Sequence, residues 1–537
     1  MLVRKSFFFS ICGMMLFHIL AGEAMAQRVT CFAQFNSIVS RGDNAPFWLI
    51  SNRQGLPSVE KINGYVRYGM AIEGGLHMSP NWTYSVGLDV VTGYNRVNSV
   101  SVQQFYVDLS WKWLVATLGM KHHFGEMRRH AVLSTPDCIK DNTVSSYFTG
   151  LYGSTMSDIG TGGLIYSGNS APIPQLRLEV PEYVDLFHED SWFKVRGHIA
   201  YGMFLDHDFQ EDFTDGNRNA RYSRNVLYHS KALFVKLEKL EKLPLTIEGG
   251  LEMYSQFGGD IYTHGKGKIF SMSRDVRDFL KAFIPGSGDE NAPAPEQANM
   301  SGNHIGNWHL ALTLHTRPVD IRLYAEHMFE DFSQLFFFEY QSNREGKKEV
   351  VYYPWRDIQF GISIKNKSGL LKFISNISYE YMSTYDQSGA GYNDPGPYFK
   401  EQMDGMDNYY NHSIYPGWHN YGMGIGNPLA VSPVYNTNGS LVFRGNRFKA
   451  HHVGVNGLFC KEKSFAYRLM YTYSENWGTY LNPFNEKKYT TSVVADITYT
   501  PCKSPWLFSL SLAFDKSDMV GNNLGAMVSV ARTNIFN

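Results

Sequence analysis

The sequence predicts an all-β protein: a transmembrane antiparallel β-barrel of 16–18 strands, with 18 favoured. Three observations predict it. The 537 residues carry 34 Tyr, 36 Phe, 10 Trp and 49 Gly but are only 18% charged. Past the N-terminus no apolar run approaches the roughly 20 residues that a spanning helix needs. Apolar and polar residues instead alternate with period 2 over long segments, and the connections between segments alternate short and long. That is the rhythm of short periplasmic turns and long extracellular loops.

Composition closes several other classes. A formal net charge of −1 gives no electrostatic case for a nucleic-acid partner. An apolar fraction of 43% excludes a mainly disordered chain.

Residues 1–26 read as a secretory signal peptide. Arg4 and Lys5 precede an apolar block, Ser6 to Leu20, and Ala24-Met25-Ala26 forms a small-x-small cleavage site. Residues 27–537 are then one barrel domain, in the outer membrane of a Gram-negative cell. Cys31, Cys138, Cys460 and Cys502 show neither CxxC nor metal-ligand spacing. No metal or cofactor is expected, and one disulfide or unpaired thiols both stay open.

From Tyr65 to Met78, Val66, Tyr68, Met70, Ile72, Leu76 and Met78 share one face. Tyr65, Arg67, Gly69, Ala71, Glu73, Gly75 and His77 share the other. This is longer than a soluble strand and enough to cross a bilayer at a tilt. A Ser79-Pro80-Asn81 turn leads to a second alternating run, Trp82 to Val90. The pattern returns through Phe105–Trp111, Leu114–Met120, Phe193–Met203, Leu245–Met253, Trp308–Ala325, Ile358–Tyr381, Phe465–Tyr473, Tyr489–Phe514 and Leu524–Arg532. Roughly seventeen strands follow residue 64, and barrels of this kind take an even number. Arg28 to Val39 is the one segment available as the missing first strand. Tyr65, Trp82, Trp111, Trp113, Trp308, Tyr381, Tyr489 and Trp506 suit interfacial girdles, and Phe536 suits an aromatic-terminated last strand. A soluble β-sandwich or propeller would need the alternation but not the long-short rhythm.

The long connections include 122–173, 255–306 and 382–448. Within the second, Arg274 to Phe283 predicts a short helix with Val276, Phe279, Leu280 and Phe283 on one side, packing its own loop or offered to a partner. The third is dense in Tyr, Trp, Asn, Asp and His. Aromatic faces stack on sugars while carboxylates and amides hydrogen-bond hydroxyls. Trp418 and Tyr421 are the foremost polysaccharide-binding candidates, with Tyr409, Tyr410, His419, Asp407 and Asn408. The alternative is that these residues pack the loop into a cap or a lumen plug.

Other features carry weaker signals. His122, His123, Glu126 and His130 lack the spacing of a zinc helix, and Arg128 and Arg129 would oppose a cation; those arginines suit lipopolysaccharide or acidic sugars. Asn169 to Pro174 reads as a rigid turn that folds back to constrict the lumen. Arg67, Glu73, Asp89, Glu248, Glu252, Arg322 and Glu326 face inward, lining a channel or forming an ion-pair network that closes it. No nucleophile elbow, phosphate loop or glycosidase carboxylate pair appears, so no enzyme is expected.

Several blocks together resemble the Wzi capsule-assembly family of outer-membrane proteins, in its Bacteroidetes-type form. They are PFWLISNRQGLP (Pro46–Pro57), GGLIYSGNSAPIPQLRLEVPEYVDL (Gly162–Leu186), LYHSKALFV (Leu227–Val235) and the stretch from Asp404 to Gly457. The resemblance implies an eighteen-stranded barrel that binds capsular polysaccharide in lectin-like fashion, attaches it to the cell surface and catalyses nothing. It implies outer-membrane lipids and lipopolysaccharide as neighbours. A helical segment after the signal peptide, typical of enterobacterial members, is missing. The competing functions are a porin or substrate channel and a barrel enzyme acting on lipid or glycan. The sugar, protein partners and oligomeric state stay open.

Overall fold

A computed structural model describes residues 28–533 except 77–78, 124–158, 285–301, 331–334, 337, 343–346, 353–354, 368–370, 372, 388–406, 461–462 and 502–503. The signal peptide, Cys138, Cys502, Glu126, Arg128, Arg129, His130 and Phe536 lie outside the described residues.

Eighteen strands form one antiparallel sheet. They are β1 (Arg28–Gly42), β2 (Ile62–Leu76), β3 (Ser79–Tyr94), β4 (Val100–Trp111), β5 (Leu114–Met120), β6 (Gln175–Asp185), β7 (Phe193–Met203), β8 (Leu227–Glu238) and β9 (Leu245–Phe257). The second half holds β10 (Asn303–His315), β11 (Val319–Glu330), β12 (Ile358–Asn366), β13 (Ile374–Ser383), β14 (Phe448–Cys460), β15 (Lys463–Gly478), β16 (Pro483–Tyr499), β17 (Trp506–Ser517) and β18 (Asn523–Thr533). Each pairs with its sequence neighbour, and β1 pairs with both β2 and β18. The sheet is therefore closed. Arg28 to Val39, the segment available as the missing first strand, lies in β1, which closes the sheet.

Closure leaves no free edge, so backbone groups can be satisfied without water. The outward face follows. Tyr68, Met70, Leu118, Leu176, Leu233, Leu310, Phe360, Leu469, Leu512 and Val528 are exposed all round the wall. Arg67, Asp89, Glu252, Glu326, Glu380 and Asp515, on the opposite phase, are buried. An apolar exterior around a polar interior inverts a soluble protein and defines a membrane-spanning barrel. Among the described residues, no helix is long and apolar enough to cross a membrane.

Trp111, Trp113, Tyr489 and Trp506 are exposed at strand ends, as girdles require. Tyr65 is not among them. Its ring is buried on the lumen side and lies beside the Arg96 guanidinium, because it shares the inward phase of Arg67. The connection from β3 to β4 is short, residues 95–99.

The extracellular connections carry their own structure. Residues Arg221–Arg224, Gly259–Thr263 and Gly267–Met272 form a three-stranded sheet. Helix α1 (Phe47–Ile50) is fully buried, and α2 (His207–Thr214) follows β7. The helix expected near Arg274–Phe283 is α3 (Val276–Phe283), opened by a reciprocal Asp275/Asp278 capping box. Phe279 packs on Tyr201 and Phe257, and Phe283 on His229.

Candidate functional site

The connections after β1, β5 and β13 fold into the barrel. Phe47, Trp48, Leu49 and Ile50 meet Leu164, Ile165, Tyr409, Tyr410, Tyr415, Trp418, Ile425 and Phe443 in one apolar cluster. The same cluster includes wall residues from both halves of the barrel: Ile38, Tyr228, Tyr254, Ile305, Met328, Met382, Ala450, Met470, Val494, Ala513 and Met527. This is a plug with its own packed core, seated in the extracellular half of the lumen.

Three of the sequence blocks build it, and their backbones interlock. Gln54 and Gly55 donate N–H bonds to the carbonyls of Gly168 and Asn169 (2.6 and 3.1 Å). Asn169 accepts from the Asn52 amide and donates its side-chain amide to the Gly424 carbonyl (3.0 Å). Ser167 donates its amide to Ile425 O and its hydroxyl to Gly426 O. The Trp418 indole donates to Ile165 O (2.9 Å) and the Tyr410 hydroxyl to Leu164 O (2.8 Å). The expected inward turn at Asn169–Pro174 is thus a joint of the plug.

The wall holds the plug through buried carboxylates, a feature sequence reasoning missed. Asp515 accepts from the Phe47 amide (2.8 Å), Glu380 from Thr161 (2.8 Å), Glu326 from Leu164 (3.1 Å) and Glu330 from Tyr410 (2.7 Å). Asp206 accepts from the Tyr421 amide (2.9 Å). A carboxylate accepting backbone N–H bonds is a strong, directional tether where no water competes. Period-2 phase puts Glu326, Glu330, Glu380 and Asp515 on inward faces, but it says nothing of what they would meet there. The other inward charges pair among themselves: Arg67 with Asp89, Arg322 with Glu248, and His309 with Glu252 (2.7 Å) and Glu326 (3.1 Å).

The polysaccharide-binding candidates divide sharply. Trp418, Tyr409, Tyr410 and His419 are buried in the plug and present no face to a ligand. Tyr409 donates its hydroxyl to Asp357 (3.0 Å). Their burial is what the packing alternative expects. Asn408 and Asp407 are half-buried, and Asn408 accepts from Asn411 and Asn446. Burial holds the His412 and His419 imidazoles near pKa 3, so both are neutral.

Tyr421 differs. It is half-buried, at the tip of a two-residue hairpin joining His419–Asn420 to Met423–Gly424. Tyr421 (φ 52°) and Gly422 (φ 73°) both lie in the left-handed region, as this turn demands. Glycine meets the demand freely, whereas tyrosine does so at a cost of about 1–3 kcal/mol. Burial and the neighbouring Asp206 push its phenol up to about 12.

Below the plug, on the β2–β8 side, lies a cavity of about 610 Å³. It is lined by Tyr84, Tyr106 and Phe234 together with Glu73, Asp108, Lys121, Arg177, Glu179 and Arg196. His122 and His123 turn inward at its upper edge, with His123 Nδ1 3.5 Å from Glu179. Cys31 is a buried free thiol in β1.

No family model matches the chain, and no curated protein does. Solved structures of outer-membrane barrels are similar to it along nearly its whole length. Wzi of Escherichia coli, described as an outer-membrane protein involved in group 1 capsule assembly and a carbohydrate-binding β-barrel, is 11% identical over 93% of this chain and 83% of that one, with a TM-score of 0.49. OccK5 of Pseudomonas aeruginosa is 7% identical over 94% and 97%, TM-score 0.45. OmpF of Salmonella typhi, solved with daunomycin, is 9% identical over 95% and 99%, TM-score 0.40. Values this low carry no argument about function. The barrel assignment rests on the closed strand ladder itself.

Proposed function

We propose that this chain is a non-enzymatic outer-membrane barrel that binds capsular polysaccharide and attaches it to the cell surface, reaching the membrane through a leader cleaved after Ala26. The observation that carries the reading is the plug. Three of the blocks that resemble the Wzi family are the ones that interlock inside the lumen, and among the described residues they put packed side chains where a pore would need water. Tyr421 is the remaining aromatic candidate at the plug's periphery, half-buried with its ring beside Phe209.

The test is deletion of the gene with labelling of capsule. Cell-associated polysaccharide falls and released polysaccharide rises; no change in either sinks the reading. Tyr421→Asn refines it, because asparagine accepts the left-handed backbone while removing the ring. Thermal unfolding of the purified variant stays at or above that of the parent, and its binding to isolated capsule drops.

A substrate channel is the second reading, favoured by the charged cavity of about 610 Å³ beneath the plug. It requires ion conductance in planar bilayers from the intact protein.

A further inference from the structure

Lipid asks for apolar side chains on the outward phase of the wall. Near the extracellular ends of β7, β8 and β9 the chain departs from that rule. Ile199 and Leu233 are exposed on the outward phase. Tyr201, two residues after Ile199, shares it, as do Lys231 and His229, two and four residues before Leu233. Phe257 shares it too, because it pairs with Leu227, six residues from Leu233. A wall residue of this phase should be open, yet His229 is fully buried and Phe257 is 3% exposed.

Helix α3 covers them. The Phe279 ring lies 5.4 Å from Tyr201 and 5.2 Å from Phe257, and Phe283 lies 5.9 Å from His229. Three hydrogen bonds fix the helix to the same face. The Tyr201 hydroxyl donates to Phe279 O (2.8 Å), and Lys231 Nζ donates to Ala282 O (3.2 Å) and Phe283 O (2.5 Å). The last carbonyls of a helix have no partner within it and form the negative end of its dipole. They give a lysine on the lipid-facing phase the acceptors that lipid cannot.

The helix therefore lies against the outside of the barrel. Just before it, Arg274 stands 3.9 Å from Asp260 of the extracellular sheet. It ends beside Lys231, four residues down β8 from Leu227, a descent on the order of 10 Å along tilted strands. Its other side is apolar. Val276 and Leu280 stand four apart on the helix and Ile284 follows its end; they are 78%, 61% and 69% exposed. Arg277 and Lys281, also four apart, flank this strip, an arrangement suited to a membrane interface.

We infer that α3 is an interfacial helix sunk in the outer leaflet, pinned to the wall by Tyr201 and Lys231, with Val276, Leu280 and Ile284 among the acyl chains. The occupant follows from continuity. The strip extends the exposed belt of Ile199, Leu233 and Leu310, which is the barrel's own interface with lipid. The inference goes beyond the polysaccharide reading and rests on the wall alone, so either can fail without the other.

The test uses the full-length protein in phosphatidylcholine vesicles containing a phospholipid with a diazirine on its acyl chain. After illumination, labelled positions are mapped by mass spectrometry. Label is expected at Val276, Leu280 and Ile284 as well as at the wall controls Leu233 and Leu310. Leu280→Asp lowers the label over residues 276–284 roughly tenfold, as loss of one buried leucine side chain predicts, and leaves the controls unchanged. Label at the controls with none on α3 means that water, another part of the chain or a second copy covers the strip, and overturns the inference. Lys231→Met keeps an apolar stem but removes the donors. Amide exchange across residues 277–284 then quickens roughly tenfold while β8 stays protected; unchanged exchange overturns the pin. Heat-modifiable gel migration verifies folding. Where Lys231→Met does not fold, Tyr201→Phe removes a single donor and is read by the same exchange.

Discussion

At the scale of single residues, burial separates side chains that composition cannot. Trp418 and Tyr421 stand three positions apart in the same aromatic loop. One fills the plug core against Tyr228, Tyr254 and Phe204; the other stands at a hairpin tip. Trp418→Ala should cost about 3–5 kcal/mol, the usual range for a large aromatic deleted from a packed core, read as a lower denaturant midpoint. Sequence alone could name both residues but not sort them, because stacking on sugar and packing in a core call for the same rings. Asp206 yields a sharper test. Burial pushes its carboxyl up to about 6 against hydrogen bonds from Gln210 and Tyr421 that lower it. Its folded value lies above its ordinary one. Its favourable contribution is therefore complete below about pH 4 and is lost as pH rises through about 6. His419, 3.8 Å away, runs oppositely: burial keeps it neutral, and stability falls as pH drops below its ordinary 6.5. Asp206→Asn should raise stability at pH 8 by up to about 3 kcal/mol and leave a profile that only declines toward acid. An unchanged profile by tryptophan fluorescence would remove Asp206 from the account.

At the scale of elements, the strands were legible and the plug only in part: Asn169–Pro174 reads as an inward turn, while the aromatic 382–448 loop fits a plug and a sugar site alike. Lipid demands apolar side chains on every second position, so Tyr68, Met70, Leu88 and Val90 announce their face without help from tertiary structure. The inward phase carries no such demand. Glu326 reads as lining a channel or closing it through ion pairs, yet Glu326 and Glu380 each accept from a backbone amide of the 159–165 segment, several strands away in the chain. The helix at α3 was legible because its own spacing and capping box specify it, while α1 was hidden inside a block of apolar and turn residues. The tethers predict that the plug can be loosened in parts. Asp515→Ala leaves the Phe47 amide buried without its acceptor, at a cost of about 1–3 kcal/mol. Hydrogen exchange should rise across residues 45–50 and stay flat in β17 and β18. Uniform acceleration across the barrel would mean that Asp515 supports the wall and not the plug.

At the scale of the whole molecule, the opposed faces of the wall make the barrel, and the returning connections decide what it can pass. If the plug closes the lumen, the purified protein is electrically quiet in planar bilayers, and removal of residues 408–446 produces steady conductance. Conductance from the intact protein of the same size as from the deletion would favour the channel reading. The short-long rhythm made the eighteen strands countable. The inward course of the loops was beyond it, because a loop that folds into the lumen and one that reaches outward share the same polar, aromatic composition. The seam adds a constraint on biogenesis. Gln34 of the first strand meets Ser529 of the last across 495 positions, and the first plug block hangs from Asp515. Contacts of such sequence separation are late events in folding. The N-terminal strand must therefore wait, unpaired on one side, until Asn523–Thr533 arrives beside it. Sealing the cylinder and seating its stopper then become a single step, and a chain truncated before residue 515 would lose both together.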